Sequence, residues 1–317
     1  MFQLIPHDLK IDFLKISRPF IIASTIAVVL SIVGLFTLGL NYGIDFTGGA
    51  EVQVRVPKDW DITKVRAGLE EGGIKDATVI QVQDPNLNEF LIKVQSSAAE
   101  IKSIGEQVEN ALKPKTNNSS EFSIERADVV GPQAGEELRT SAIISVIAAA
   151  LGILIYITFR FDFRFAPGIV RALLFDVIIT LGVWILLRKE FNLSTVAALL
   201  TIAGYSCNDT IVIYDRIRDF SKTHPNMSLY DVVNRSINLN LGRTFLTVIC
   251  TNFVVVSLWL LGGPVIGDFA FAMLIGFSIS VISTIFVANP MVMYMEKRAN
   301  TKELSGKGGK TVHAKHA

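Results

Sequence analysis

The segment Pro19–Leu40 reads PFIIASTIAVVLSIVGLFTLGL and contains no charged residue. An apolar helix of about 20 residues crosses the roughly 30 Å hydrocarbon layer of a bilayer, so this segment predicts a transmembrane helix over 19–40. Its apolar run is too long for the core of a signal peptide, and no clear small-residue cleavage site follows it. We therefore expect residues 1–18 to form a short arm ahead of a retained anchor.

Five further segments are long and almost free of charge. Backbone polar groups must be paired inside lipid, and continuous apolarity over such lengths favours helices over the strands of a closed barrel. Composition agrees, since 50% of the 317 residues are hydrophobic and 19% are charged, against about 25% charged in soluble domains. The sequence predicts an α-helical polytopic membrane protein with six spans, the last five forming a bundle over 140–295. These five are Thr140–Phe159, Ala166–Leu187, Phe191–Tyr214, Thr244–Gly267 and Phe269–Met295.

Charge and residue usage exclude several classes of function. Thirty Lys and Arg against 29 Asp and Glu give a net charge of +1, which offers no case for nucleic-acid binding. Two cysteines, Cys207 and Cys250, are too few for a disulfide framework or a cysteine zinc site. All four histidines lie outside the apolar segments. We therefore expect no metal, no cofactor and no histidine base within the membrane.

Lys and Arg are distributed unequally about the spans, which predicts their orientation. Seventeen lie in the N-terminal arm, around the loops after spans two and four, and in the tail, whereas the opposite short loops hold only Arg188 and Lys189. Both termini are therefore expected in the cytoplasm, with residues 41–139 on the other side. The seventeen are Lys10, Lys15, Arg18, Arg160, Arg164, Arg171, Arg216, Arg218, Lys222, Arg235, Arg243, Lys297, Arg298, Lys302, Lys307, Lys310 and Lys315.

Residues 41–139 have the pattern of a small soluble domain. Alternating and helical periodicities follow the order βαββαβ, which is the ferredoxin-like arrangement. This fold does not itself specify a function, so the domain is either a folded spacer or a platform that contacts a partner or substrate. The predicted elements are strand Ala50–Val56, helix Thr63–Glu71, strands Ala77–Val82 and Glu89–Gln95 joined across Asp84–Asn86, helix Ala98–Leu112 and strand Glu121–Val130.

Glycine-rich segments flank this domain, GIDFTGG at 43–49 and VGPQAGEEL at 130–138. Glycine permits positive φ and close backbone approach, so we interpret both as shaped hinges between domain and membrane, with plain turns as the alternative. The candidate hinge residues are Gly43, Asp45, Gly48, Gly49, Gly131, Pro132 and Gly135.

Two cytoplasmic elements are also expected. Ser228 can cap a short amphipathic helix over Leu229–Leu239, which we predict to lie on the membrane interface. Residues 296–317 are rich in Lys, Gly and Ser, a composition typical of disorder.

Asp209 is the leading candidate for a functional residue, because an ionisable group inside a span is costly to keep. It lies in span four on a polar helical face with Tyr205 and Asn208. Such a face is expected to point at protein or water, where the carboxyl can gain and release a proton as its surroundings change. The alternative is a structural hydrogen bond between helices.

Two further charged residues lie in or beside the spans. Arg243 begins span five, with Thr247 one turn later, and a hairpin would bring it to the depth of Asp209. The alternative for Arg243 alone is an interfacial arginine that reaches the headgroups. Asp176 lies mid-span among apolar neighbours, so its partner is expected on another helix, either as a structural hydrogen bond or for proton handling.

Five motifs, in order along the six-span layout, resemble the SecF branch of the SecD/SecF family of protein-export membrane proteins, within the resistance–nodulation–division superfamily. They are GIDFTGG (43–49), VGPQAGEEL (130–138), AGYSCNDTIVIYDRIRD (203–219), NLGRT (240–244) and LGGPVIGDFAFAMLIG (261–276).

The resemblance implies a non-enzymatic subunit of the bacterial inner membrane that uses the proton motive force to help preproteins cross. It implies SecD, the SecYEG channel and YajC as partners, with SecD supplying a second six-helix bundle, and a periplasmic location for residues 41–139. Asp209 and Arg243 correspond to residues implicated in proton passage, with Asp176, Tyr205, Asn208 and Thr247 as supporting polar groups. The sequence departs from the family pattern at Cys207 and Phe175, which affects the surroundings of Asp176.

Two other functions stay open at this point. A passive scaffold would stabilise neighbours without coupling to protons. An intramembrane aspartyl protease would use Asp176 and Asp209 as a dyad, which requires two carboxyls in close contact.

Overall fold

The computed structural model describes residues 10–74, 77–83, 88–94, 103–115, 122–160 and 165–297. The predicted turn at Asp84–Asn86 and the expected tail beyond Lys297 lie outside these ranges. Within the described ranges, six helices are long and apolar enough to cross a membrane, which confirms the predicted class. They are α1 (Phe13–Thr37), α5 (Pro132–Arg160), α6 (Ala166–Leu186), α7 (Leu193–Thr223), α8 (Leu229–Leu261) and the helix that begins as α9 (Gly263–Ser283) and runs on to Lys297.

Most of these helices extend beyond the apolar segments that predicted them. Helix α1 already begins at Phe13, because the Asp12 side chain accepts a hydrogen bond from Lys15 N at 3.1 Å and caps it. Helix α8 ends at Leu261 rather than near Gly267, because Gly263 adopts a φ of 72° and interrupts the helical path. Hydropathy locates the part of a helix that lies in lipid, whereas caps and glycines decide where the helix stops.

Ser228 caps a helix that begins at Leu229, as predicted, but the prediction of a short interfacial helix over Leu229–Leu239 is wrong, because this segment is the first part of the continuous helix α8. Its apolar face does not lie on lipid, since Val232 and Val233 are buried in a protein core that includes Ile213. The side chains of Asn234 and Asn238 accept hydrogen bonds from the backbone N–H of Phe13 and Ile11, at 2.9 and 3.1 Å. This part of α8 therefore docks the end of the N-terminal arm and the first residue of α1.

The soluble domain has the predicted ferredoxin-like topology. Its strands are β2 (Gly49–Arg55), β3 (Ala77–Gln83), β4 (Asn88–Val94) and β5 (Ser123–Val130), in the antiparallel order β3-β4-β2-β5. Helices α3 (Ile62–Glu71) and α4 (Ile104–Leu112) cover one face, where the alternating side chains of Val52 and Val54 are fully buried. This core is separate from those of the membrane helices.

A second, very small sheet ties span one to the loop after span three. Strand β1 (Asn41–Tyr42) pairs in parallel with β6 (Glu190–Phe191), and the short helix α2 (Ile44–Thr47) follows β1. This sheet was not predicted from the sequence, because two-residue strands leave no periodic pattern.

Candidate functional site

Asp176, on α6, is fully buried and is held by the two helices packed against it. The hydroxyl groups of Ser206, on α7, and Ser283, on α9, both donate to its Oδ2 atom, the latter at 2.8 Å. This confirms that the partners of Asp176 lie on other helices. Its second oxygen, Oδ1, is buried with no hydrogen-bond partner among the described residues.

A π-helical turn over Thr284–Ala288 lies next to this carboxylate. Such turns break the regular i→i−4 hydrogen bonding, and side chains satisfy the freed carbonyls here. Asn289 Nδ2 donates to Thr284 O at 2.7 Å, and the Tyr214 hydroxyl donates to Ala288 O at 2.8 Å. The hydroxyl groups of Thr210 and Thr284 lie 3.1 Å apart. The centre of the bundle is therefore a polar cluster.

Most residues of this polar cluster were not predicted from the sequence. Hydroxyl and amide side chains inside apolar spans are the signal that marks it, because they need partners on neighbouring helices. The missed members are Ser206, Thr210, Ser283, Thr284 and Asn289.

Asp209 lies one helical turn from Ser206 on α7 and is 8% exposed. Two groups of α8 act on its carboxylate, the Arg243 guanidinium through its charge and the Thr244 hydroxyl through a hydrogen bond. The structure thus brings Asp209 and Arg243 together, as the predicted hairpin required. Asp209 Oδ2 is buried and, within the described part of the chain, accepts no hydrogen bond.

The predicted polar face of span four is divided between two environments. Asp209 points into protein, whereas Asn208 is exposed and so are Arg243 and Thr247 on the neighbouring helix. Tyr205 lies between them, half-buried, with its ring 4.3 Å from that of Phe277. A face of α7 and α8 that carries polar groups at membrane depth is therefore left uncovered by the residues that the structure describes.

The first glycine-rich segment connects span one, the soluble domain and spans two and four. Asp45 Oδ2 accepts a hydrogen bond from Leu193 N at 2.8 Å, which places a carboxylate at the N-terminus of α7, where the helix dipole favours it. Gly43 N donates to Phe191 O at 3.1 Å, and a side chain at Gly43 would overlap Asn192. This segment therefore positions the helix that carries Asp209.

The two glycine-rich segments also pack against each other. Gly48 has a φ of 76°, and a Cβ there would lie 2.8 Å from Pro132 Cα. A Cβ at Gly135 would lie 3.0 Å from Gly48 N. Gly49 begins β2, and a Cβ at Gly131 would meet no described atom within 4 Å.

The sheet of the soluble domain is tied to the membrane bundle through Lys93 of β4. Its ammonium pairs with Glu190 and lies 3.2 Å from Glu51 Oε2, with 13% of the Lys93 side chain exposed. Burial alone would lower the pKa of Lys93, but the hydrogen bond and charge of Glu190, together with Glu51, raise it above its usual value.

Known proteins are similar to this chain over most of its length. Residues 107–298 match the family described as Protein export membrane protein SecD/SecF, C-terminal, and residues 33–56 match the SecD/SecF GG Motif. Protein translocase subunit SecF of Magnetococcus marinus is 42% identical over 92% of this chain and 94% of its own length. The same subunit of Calditerrivibrio nitroreducens is 40% identical over 92% and 95%.

Single-chain relatives are longer. Protein translocase subunit SecDF of Thermus thermophilus is 35% identical, over 94% of this chain but 40% of its own length. The crystal structure of SecDF, a translocon-associated membrane protein from that organism, superposes with a TM-score of 0.79 at 35% identity. This chain covers 39% of that structure.

Proposed function

Because the chain belongs to the SecD/SecF family of protein-export membrane proteins, we propose that it is an accessory subunit of the protein-export machinery that uses the proton motive force to move preproteins. The observation that carries the proposal is Asp209, a buried carboxylate between helices with Arg243 beside it and one oxygen without a described partner. Such a group can hold a proton in one arrangement of the helices and release it in another.

The energy available is sufficient for a conformational step. One charge that crosses a potential of 100 mV releases about 2.3 kcal/mol, so a few protons can drive a motion of helices or of the soluble domain. Asp45 links the membrane helices to the soluble domain. Its carboxylate binds the N-terminus of α7, the helix on which Asp209 lies, and Asp45 itself belongs to the segment that enters the soluble domain.

SecD is the proposed partner. The exposed polar face of α7 and α8 needs a protein or a water-filled cavity against it, because polar groups in hydrocarbon are unfavourable. Relatives named SecDF carry more than twice the length of this chain, which is consistent with a second bundle supplied there by the same polypeptide. The SecYEG channel, YajC and the translocating preprotein are proposed as further partners.

The proposed location is the bacterial inner membrane, with both termini in the cytoplasm and residues 41–139 in the periplasm. The excess of Lys and Arg on one side of the spans supports this orientation. We also propose that the protein is not an enzyme. Asp176 Oδ2 is engaged by two serine hydroxyls, which favours a structural or relay role over a protease dyad.

The test is to change Asp209→Asn and, separately, Arg243→Met, in cells and in membrane vesicles. We expect both variants to lose the dependence of export on the proton motive force while the subunit and its complex remain at normal levels. Asp219→Asn is the matched control, because Asp219 lies on the same helix but is exposed. Normal export in both variants with the complex intact would instead favour the passive scaffold.

A further inference from the structure

An apolar groove of about 320 Å³ lies between α5, α6 and α7, apart from the polar cluster. Its walls are almost entirely aliphatic and aromatic, with small side chains at Ala142, Ala149 and Ala150 on α5. Arg139, near the start of α5, is the only charged residue among the described residues that line it. The groove therefore has one cationic end and an otherwise apolar length.

The groove spans one leaflet of the bilayer. It runs along α5 from Arg139 to Ile153, a distance of about 21 Å at the helical rise of about 1.5 Å per residue. Half of a bilayer of about 40–45 Å, headgroups included, has the same depth. Arg139 thus lies at headgroup level on the side of the soluble domain, and Ile153 lies near the midplane.

The groove needs an occupant from the membrane. Its apolar walls offer water no hydrogen-bond partners, so water does not fill it. An empty groove would leave its lining without dispersion contacts on one side. It opens toward the hydrocarbon layer, where Ile143 and Ile147 are each 54% exposed. A volume of about 320 Å³ spread along this length is a narrow slot, whereas a helix with side chains is about 10–12 Å across.

The cationic end suits a phosphate group. The Arg139 guanidinium lies over the Tyr42 ring, 4.8 Å from its centroid. The ring attracts the positive charge of the guanidinium, and an arginine side chain carries five N–H donors with which to bind a second ligand. Arg139 forms no ion pair with any carboxylate in the described part of the chain.

We propose that this groove binds one acyl chain of a glycerophospholipid from the leaflet on the side of the soluble domain, with the lipid phosphate on Arg139. The site lies against Phe46 and Phe191, which pack at the base of the soluble domain. A bound lipid therefore stabilises span two against spans three and four directly below that domain.

The first test is native mass spectrometry of the full chain in mild detergent, titrated with palmitoyl-oleoyl phosphatidylglycerol. Ala149→Phe fills the groove and is expected to weaken lipid binding at least tenfold. Ala148→Phe is the matched control, because Ala148 is exposed on the same helix but does not line the groove. Arg139→Gln is expected to weaken lipid binding about fivefold. This factor corresponds to the loss of about 1 kcal/mol, which is what one basic residue contributes near an anionic membrane surface. Equal binding by the Ala149→Phe and Ala148→Phe variants would overturn the proposal.

A second measurement needs no substitution. A phospholipid with a photoactivatable acyl chain is expected to label residues 142–153 and 196–203 more strongly than the exposed segment 253–261 of α8. Labelling spread evenly over all three segments would show ordinary surrounding lipid and overturn the site. Persistent co-purification of a polypeptide that protects residues 142–153 from the photoactivatable lipid would also overturn it, because a partner helix would then occupy the groove.

Discussion

Lys93, on a strand of the soluble domain, forms an ion pair with Glu190, in the short strand between spans three and four. Glu51 Oε2 lies 3.2 Å from the same ammonium. Together with the β1–β6 pairing, this contact fixes the soluble domain on the membrane bundle. The soluble domain is thus held on the bundle at a point where the Lys93 ammonium pairs with the carboxylates of both Glu51 and Glu190.

Replacing Lys93→Met is expected to loosen the docking of the domain, because it leaves Glu51 and Glu190 partly buried without their cation. A cost of about 1–3 kcal/mol is expected for such a loss. Hydrogen exchange should accelerate at β1 and β6 while β2 stays protected. Lys64→Met serves as the control, since Lys64 is 55% exposed and 3.8 Å from Asp59, and should change nothing. Unchanged exchange in the Lys93 variant would contradict the role assigned to it.

The same ion pair predicts a dependence on alkaline pH. The pKa of Lys93 is raised in the folded protein, so its contribution to stability is fully present below the unfolded value, about 10.4. That contribution is lost as the pH rises through the higher folded pKa. Energy transfer between dyes on the soluble domain and on the membrane bundle should stay constant from about pH 8 to 10 and fall above about pH 10.4. A fall that begins near neutral pH would argue against Lys93 as the cause.

Gly48→Ala is expected to destabilise the protein more than Gly73→Ala. Both glycines have positive φ, at 76° and 90°, so both substitutions meet backbone strain, and the ψ of 153° at Gly48 places that residue in a region that essentially only glycine adopts. A Cβ at Gly48 would also lie 2.8 Å from Pro132 Cα, whereas one at Gly73 would meet no described atom within 4 Å. Thermal unfolding in detergent should separate the two variants by about 1–3 kcal/mol. Equal unfolding temperatures would mean that the contact between the two glycine-rich segments is not tight.

Ser206→Ala and Ser283→Ala are each expected to cost about 1–3 kcal/mol, because each leaves a buried carboxyl with one donor fewer. The two effects should not add, since both hydroxyl groups serve the same oxygen of Asp176. Ser257→Ala is the control, as its hydroxyl is exposed and donates within its own helix. A double-mutant cycle in thermal unfolding measures the coupling, and strict additivity would show that the two serines act separately.

Cys250 offers a test of the proposed partner face. It is exposed on α8, one turn after Thr247, whereas Cys207 is buried. A membrane-permeant reagent with a thiol-reactive end and a photoactivatable end should therefore capture SecD through Cys250 in native membranes, and Cys250→Ser should abolish the product while Cys207→Ser leaves it unchanged. Capture that persists without Cys250 would place the partner on another face.

Local sequence patterns predicted the class of the protein and the topology of its soluble domain. Span length and missing charge identify membrane helices because each helix satisfies its own backbone in lipid. Alternation along the strands around Val52 and Val54 reports burial on one face of a sheet, which is again a local property. Asp209 and Arg243 were predicted as site residues in the same way, because a charged residue in or beside an apolar segment can be recognised from the sequence.

The contacts of the site were decided only by the tertiary structure. Ser283 is 107 residues from Asp176, and Lys93 is 97 residues from Glu190. Whether such groups meet depends on how helices and sheet pack, and packing is set by the whole core and by no single segment. The amphipathic pattern at 229–239 shows the same limit, since an apolar face fits lipid and a protein core equally well. The sequence alone thus determined which residues need a partner, and the tertiary structure decided which partner each one has.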